Sequence, residues 1–184
     1  AARPAQTGMG STVVAVRFDG FRFHMGWIGD SRAYLLRDNE LHLLSRDHSP
    51  VEKMKAKGML RAVDARRHPK RHVISRAMGL GECSPEAVPV ISGHIAAGER
   101  MLLCSDGLND SLSGADIVSI LKTSTGGFDA CQNLIDAALK AGGSDNITVV
   151  LAQAIGEGPA PDPDLKAVQV EREDGEIEYF PPRG

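Results

Sequence analysis

The chain has 184 residues, a formal net charge of −3, 42% hydrophobic residues and 24% charged residues. That balance excludes a wholly disordered chain, a collagen-like repeat and a small disulfide scaffold, and it supplies enough apolar surface for one core. No run of 18 apolar residues occurs, so nothing reads as a membrane span, and residues 1–10 lack the apolar stretch of a signal peptide.

In chain order, residues 11–18 (STVVAVRF) are β-branched and apolar, and Asp19-Gly20 is a hairpin turn signal before 21–28 (FRFHMGWI). Gly29-Asp30-Ser31 leads into a third strand at 32–37, and Asp38-Asn39 turns into a fourth at 41–44. Links this short exclude parallel pairing, so the four strands are expected to form an antiparallel meander. Ser49 and Pro50 have the chemistry of an N-cap and a first helical residue, which predicts a helix to about Lys57 with Gly58 as its stop. Residues 58–72 are basic and aperiodic and read as an exposed loop. Strands are expected at 87–91 and 100–104.

Ser113 and Asp116 resemble a capping box for a helix to about Lys122. A second helix is expected from about Phe128 to Lys140, with Cys131, Leu134, Ile135, Ala138 and Leu139 on one face and Gly142-Gly143 at its end. A buried strand at 147–152 follows. After Gly156 the chain becomes Pro-rich and acidic, then alternates apolar and polar residues around Asp174-Gly175, as a small hairpin would.

Charge is unevenly spread. From Lys53 to Arg76 nine Lys and Arg face one acid, Asp64, so this segment carries +8 and the rest −11. Such a block suits an anionic partner or a solvated loop. No zinc-finger spacing, helix-turn-helix pattern or aromatic interleaving accompanies it, so a nucleic-acid role is not expected. Cys83, Cys104 and Cys131 form no CxxC pair. Cys104 and Cys131 sit in apolar runs and read as buried thiols, which implies a reducing, cytoplasmic setting. His24, His42, His48 and His94 read as structural or surface histidines. His68 and His72 are placed to touch phosphate in a flap, but read rather as solvated residues of the basic loop.

Three aspartates stand at strand ends in Gly- or Ser-containing turns: Asp30, Asp106 and Asp145. Singly, each suits a turn that bonds its own backbone. Together, at one sheet edge, they would repel one another and perturb each other's pKa, a cost that a divalent cation removes. Oxygen donors without His or Cys favour Mg²⁺ or Mn²⁺ over zinc.

These residues resemble the metal-dependent serine/threonine protein phosphatases of type 2C, in their bacterial branch. The resemblance lies in MGSTVVAV at 9–16, GWIGDSRAYLLR at 26–37, LLCSDGLND at 102–110 and GGSDNITVVL at 142–151, with DHSPVEKMKAKGML at 47–60 and HPKRHVISRAMG at 68–79 between them. It implies an α+β fold of two packed antiparallel sheets flanked by helices, an α-β-β-α sandwich. It implies two Mn²⁺ or Mg²⁺ ions held in part by Asp106 and Asp145, with Gly107 adjacent, and a third ion at Asp30. Asp110 and Asn146 would stand behind these ligands. Arg66, Arg67, His68, Lys70 and Arg71 would form a flap that receives phosphorylated proteins. The implied reaction is hydrolysis of phosphoserine and phosphothreonine by a hydroxide bridging two metal ions.

The family also carries an upstream Asp-Gly motif followed by glycines, whose Asp bridges both metals, and AARPAQTG at 1–8 has no counterpart. The expected organisation is a leader at 1–8, the later two-thirds of a phosphatase domain at 9–155, a linker at 156–166 and an acidic tail at 167–184. The expectation is a part of a longer phosphatase, with little turnover by this chain without the missing segment or a complementing chain. The alternative is an inactive member that binds proteins.

Overall fold

The computed structural model describes residues 9–65, 67–80, 84, 88–165, 167, 169–171 and 177–179. Two antiparallel sheets face each other. The first contains β1 (Val13–Asp19), β2 (Arg22–Ile28) and β5 (Val90–His94), with β2 in the middle. The second runs in the order β7 (Val149–Gln153), β6 (Arg100–Cys104), β3 (Arg32–Arg37), β4 (Glu40–Leu43), β8 (Gln169–Glu171) and β9 (Ile177–Tyr179).

The first four strands are antiparallel, but they are not one meander. β1 pairs only with β2 in one sheet, and β3 pairs with β4 in the other. The chain changes sheets at Gly29, which adopts φ +101° and would clash with Thr12 through any Cβ. The physical reason is the alternation of the strands. Phe23, Met25 and Trp27 of β2 and Ala33 and Leu35 of β3 bury against each other between the sheets. Side-by-side pairing would point both sets the same way and leave them without an opposing layer. The β3–β4 turn uses positive φ at Asp38 and Asn39, the conformation a two-residue hairpin of this hand requires.

β3 and β6 are buried on both faces. Their residues Leu35, Met101 and Leu103 face the other sheet, while Tyr34, Leu102 and Cys104 face a helical layer. That layer is α3 (Asp106–Ser111), α4 (Gly114–Thr123) and α5 (Gly127–Lys140), which bring Leu108, Ile117, Val118, Leu121 and Leu134 to the sheet. α4 opens with the expected capping box, Ser113 and Asp116 each bonding the other's backbone N–H. α1 (Pro50–Ala56) likewise begins at Ser49, whose Oγ accepts from Glu52 N–H, and stops before Gly58 at φ +68°.

Some boundaries and faces differ from expectation. One helical turn, α2 (Ala62–Ala65), interrupts the basic segment. Of the strand expected at 87–91, Ala87 lies outside the described residues, and the strand observed is Val90–His94. The strand expected at 147–152 begins at Val149 and lies at the sheet edge, so Val150 is 55% exposed rather than buried. α5 buries Ala130, Leu134 and Ala138, which leaves Leu139 exposed and Cys131 half-buried. The expected periodicity is right but the face is turned by about one residue.

Beyond β7, the linker docks. Asp162 accepts a bond from His94 N–H, its carbonyl accepts from Arg37, and Leu165 packs into the core between the sheets. β8 then pairs with β4, and β9 with β8.

Candidate metal centre

The candidate centre lies where β3 begins, where β6 ends and where the loop before β7 approaches them. Ser105, between β6 and α3, joins two of these pieces. Its N–H donates to the Thr148 carbonyl at 3.1 Å, its Oγ donates to the Asn146 carbonyl at 2.9 Å, and Thr148 N–H donates to that same Oγ at 3.0 Å. Gly107 permits the approach. A Cβ there would stand 2.6 Å from the Asn146 carbonyl oxygen. The absence of a side chain at Gly107 therefore brings the Asp145 loop against the start of α3, which carries Asp106.

Asp106 is half-buried and its carboxyl is pushed above the ordinary aspartate value. Burial is the largest cause, followed by the negative charges of Asp110 and Asp145. Asp110 follows one turn later on α3, so both carboxylates project from the same side of the helix. Asp145 turns one oxygen back to the Asn146 N–H at 2.6 Å. Asp30, in the Gly29-Asp30-Ser31 switch between sheets, is pushed up to about 6, first by burial and then by the charges of Asp106 and Asp47. Asp106 thus feels the charges of Asp110 and Asp145, and Asp30 that of Asp106, but among the described residues only Asp106 and Asp110, with His72, place donor atoms within 4.8 Å of one another, so Asp30 and Asp145 stand outside that group.

Neighbouring groups hold these carboxylates in place and offset their charge only in part. Arg32 reaches Asp47 with two bonds, at 3.0 and 2.7 Å, and donates a third to the Tyr34 hydroxyl at 3.2 Å. Thr12 and Ser31 share a hydrogen bond at 2.9 Å. Gly29 N–H donates to His48 Nδ1 at 3.1 Å, which makes His48 an acceptor there, and burial lowers its pKa, which favours that neutral form.

The basic segment forms the opposite wall. Ser75 N–H donates to the His48 carbonyl at 2.6 Å, and Ser11 and Met78 exchange two backbone bonds at 3.0 and 2.8 Å. Arg67, Lys70 and Arg71 are exposed, and His68 is half-buried with its Nδ1 accepting from Lys70 N–H. Arg71 also lines a polar cavity of about 180 Å³ with Arg32, Asp47, Lys55 and Asp110. Arg66 lies outside the described residues, as do Cys83 and residues 1–8.

Asn146 bonds Ser105 through its carbonyl, so its backbone, not its amide, is what braces the loop. Three contributors had no distinct sequence signal. Ser105 is one more Ser in a turn, Arg32–Asp47 spans 15 residues, and His72, read as a solvated residue, approaches Asp110 at 3.1 Å across 38 residues. Among the described residues, His72, Asp106 and Asp110 each place one donor atom within 4.8 Å of the others. A clustered, partly buried and electrostatically strained set of carboxylates has the donor chemistry of a hard or borderline divalent cation.

A two-sheet antiparallel sandwich with this carboxylate cluster at strand ends is a framework suited to metal-dependent hydrolysis. The profile of the protein phosphatase 2C family matches residues 1–147, and the chain belongs to that family. It is 39% identical over 152 residues to the serine/threonine protein phosphatase PstP of Mycobacterium tuberculosis, a match covering 83% of this chain and 29% of the relative. It is 36% identical over 148 residues to the protein phosphatase PhpP of Streptococcus pneumoniae, covering 80% of this chain and 59% of the relative. The crystal structure of the PstP catalytic domain in complex with two manganese ions superposes with a TM-score of 0.72 at 36% identity, covering 82% of this chain and 61% of that one. The chain thus spans between about a third and three-fifths of the curated relatives it matches.

Proposed function

We propose that this chain provides metal-ligating and substrate-facing parts of a protein serine/threonine phosphatase that works with Mn²⁺ or Mg²⁺. The observation that carries the reading is the placement of Asp106, half-buried at the start of α3 with Asp110 one turn on and the Asp145 loop held against it at Ser105 and Gly107. Asp106 and Asp145 are the ligands assigned to the paired ions, and Asp30 is assigned to a third. Bound divalent ions would activate water for attack at phosphorus and screen the phosphoryl oxygens.

The remaining work falls to the chain's own residues. Ser105 and Gly107 fix the spacing of Asp106 and Asp145. Arg32 holds Asp47 and keeps a cation beside Asp30. The positive wall with Arg67, Lys70 and Arg71, and Arg66 by its sequence position, attracts the phosphorylated segment of a protein substrate. Family membership and the likeness to PstP and PhpP support the substrate class. The free thiols of Cys104 and Cys131 support a cytoplasmic setting. Among the described residues, no helix is long and apolar enough to cross a membrane.

The test uses the protein as produced from its own gene and a phosphothreonine peptide. Phosphate release should require Mn²⁺ or Mg²⁺ and fall on the order of 100-fold in Asp106→Asn. Turnover indifferent to both would overturn the reading.

A further inference from the structure

We propose that His72 gives an imidazole nitrogen to a divalent transition-metal ion that it shares with Asp106 and Asp110, so that the bound ion latches the basic segment onto α3. This rests on the reading of Asp106 as an ion ligand, and adds to it a nitrogen donor from a different part of the chain.

The geometry carries the inference. His72 Nδ1 lies 3.1 Å from Asp110 Oδ2, and each of His72, Asp106 and Asp110 has a donor atom within 4.8 Å of the other two. Two adjacent ligands about 2.1 Å from an octahedral ion stand about 3.0 Å apart, and two opposite ones about 4.2 Å. The 3.1 Å separation is already that of adjacent ligands, and the 4.8 Å bound on the other pairs exceeds that of opposite ligands by about 0.6 Å, a distance that side-chain rotation covers. Asp106 and Asp110 sit one turn apart on a helix whose Leu108 is fully buried, so that half of the site is fixed. His72 arrives on a segment whose own side chains are largely exposed and cationic. A cation would not settle beside that segment by long-range attraction. It would settle through donors, and the imidazole is the donor the segment aims at the carboxylates.

The nitrogen also carries a preference. Carboxylates suit both Mg²⁺ and Mn²⁺, but Mn²⁺, a first-row transition ion that dehydrates more readily than Mg²⁺, accepts an imidazole nitrogen where Mg²⁺ keeps its oxygen ligands. The latch should then close with Mn²⁺ and not with Mg²⁺.

The experiment is pulsed electron paramagnetic resonance on Mn²⁺ added to the protein as produced from its own gene, with His72→Ala and Asp106→Asn beside the wild type. His72 is half exposed, so its truncation leaves the core intact. The wild type should show nitrogen hyperfine coupling to Mn²⁺. His72→Ala should lose it, bind Mn²⁺ about tenfold more weakly and bind Mg²⁺ unchanged. Mn²⁺, but not Mg²⁺, should slow tryptic cleavage after Lys70 and Arg71 in the wild type only. Absence of nitrogen coupling in the wild type, or its persistence in His72→Ala, overturns the proposal and leaves His72–Asp110 a simple ion pair. If Asp106→Asn abolishes Mn²⁺ binding while His72→Ala matches the wild type, the latch alone fails. If Asp106→Asn binds Mn²⁺ normally, the ligand reading fails with it.

Discussion

The two walls of the candidate centre are held in different ways. The carboxylate wall grows out of strands buried on both faces, and its loops are cross-braced by Ser105 and by the close approach at Gly107. The basic wall contains one short helical turn, an exposed Arg61–Asp64 pair and a run of local backbone turn bonds, and its backbone bonds to the rest of the fold come at its end, at Ser75 and Met78. On the proposed reading, groups that must keep a fixed spacing stand on the first wall, and groups that would meet an incoming anion stand on the second. Positional accuracy comes from packing, while long-range attraction tolerates movement.

Changes on the braced wall should therefore cost far more than changes on the basic one. Gly107→Ala forces a methyl against the Asn146 carbonyl, and should lower stability by about 1–3 kcal/mol in urea unfolding and weaken Mn²⁺ binding at the same time. A neutral result would mean that the Asp145 loop is not braced there. Ser105→Ala removes two side-chain bonds and strips the Asn146 carbonyl and Thr148 N–H of partners, for about 1–2 kcal/mol and faster amide exchange at Thr148.

A smaller effect comes from pH. Asp30 rises from 3.8 to about 6 on folding, so the folded state holds its proton more tightly than the unfolded chain. Metal-free protein should then lose stability as pH climbs from about 4 to about 6, by about 1 kcal/mol after allowance for partial exposure. Asp106 adds in the same direction. Asp30→Asn should flatten the slope, and an unaltered slope would show that Asp30 is not strained. Smallest of all, Arg61→Ala on the basic wall breaks only an exposed pair and should leave the urea midpoint where it was.

Much of the first wall is legible in the sequence because its signals are local. Ser49-Pro50 starts a helix, Ser113 and Asp116 cap another, and RMLLC at 100–104 gives β6 its limits. The motifs around Asp30, Asp106 and Asp145 also point to one centre. The switch of sheets at Gly29 is not legible, since hairpin signals on either side say nothing of which sheet each hairpin joins. The edge position of β7 follows from the partners of β6, not from its own apolar residues. His72 is hidden for the same reason. It has a solvated-loop neighbourhood in sequence, and only the fold carries it to Asp110. The carboxyl-terminal linker docks through Asp162 and Leu165, single residues in a Pro-rich stretch without periodicity.

On the proposed reading, Asp106 anchors a divalent-ion site. Calorimetric titration of Mn²⁺ into the protein as produced from its own gene, compared with Asp106→Asn, tests it most directly. The wild type should give a binding isotherm that Asp106→Asn loses, with the metal-free variant at least as stable as the wild type because a strained charge is gone. Equal Mn²⁺ affinity in the two proteins would contradict that reading.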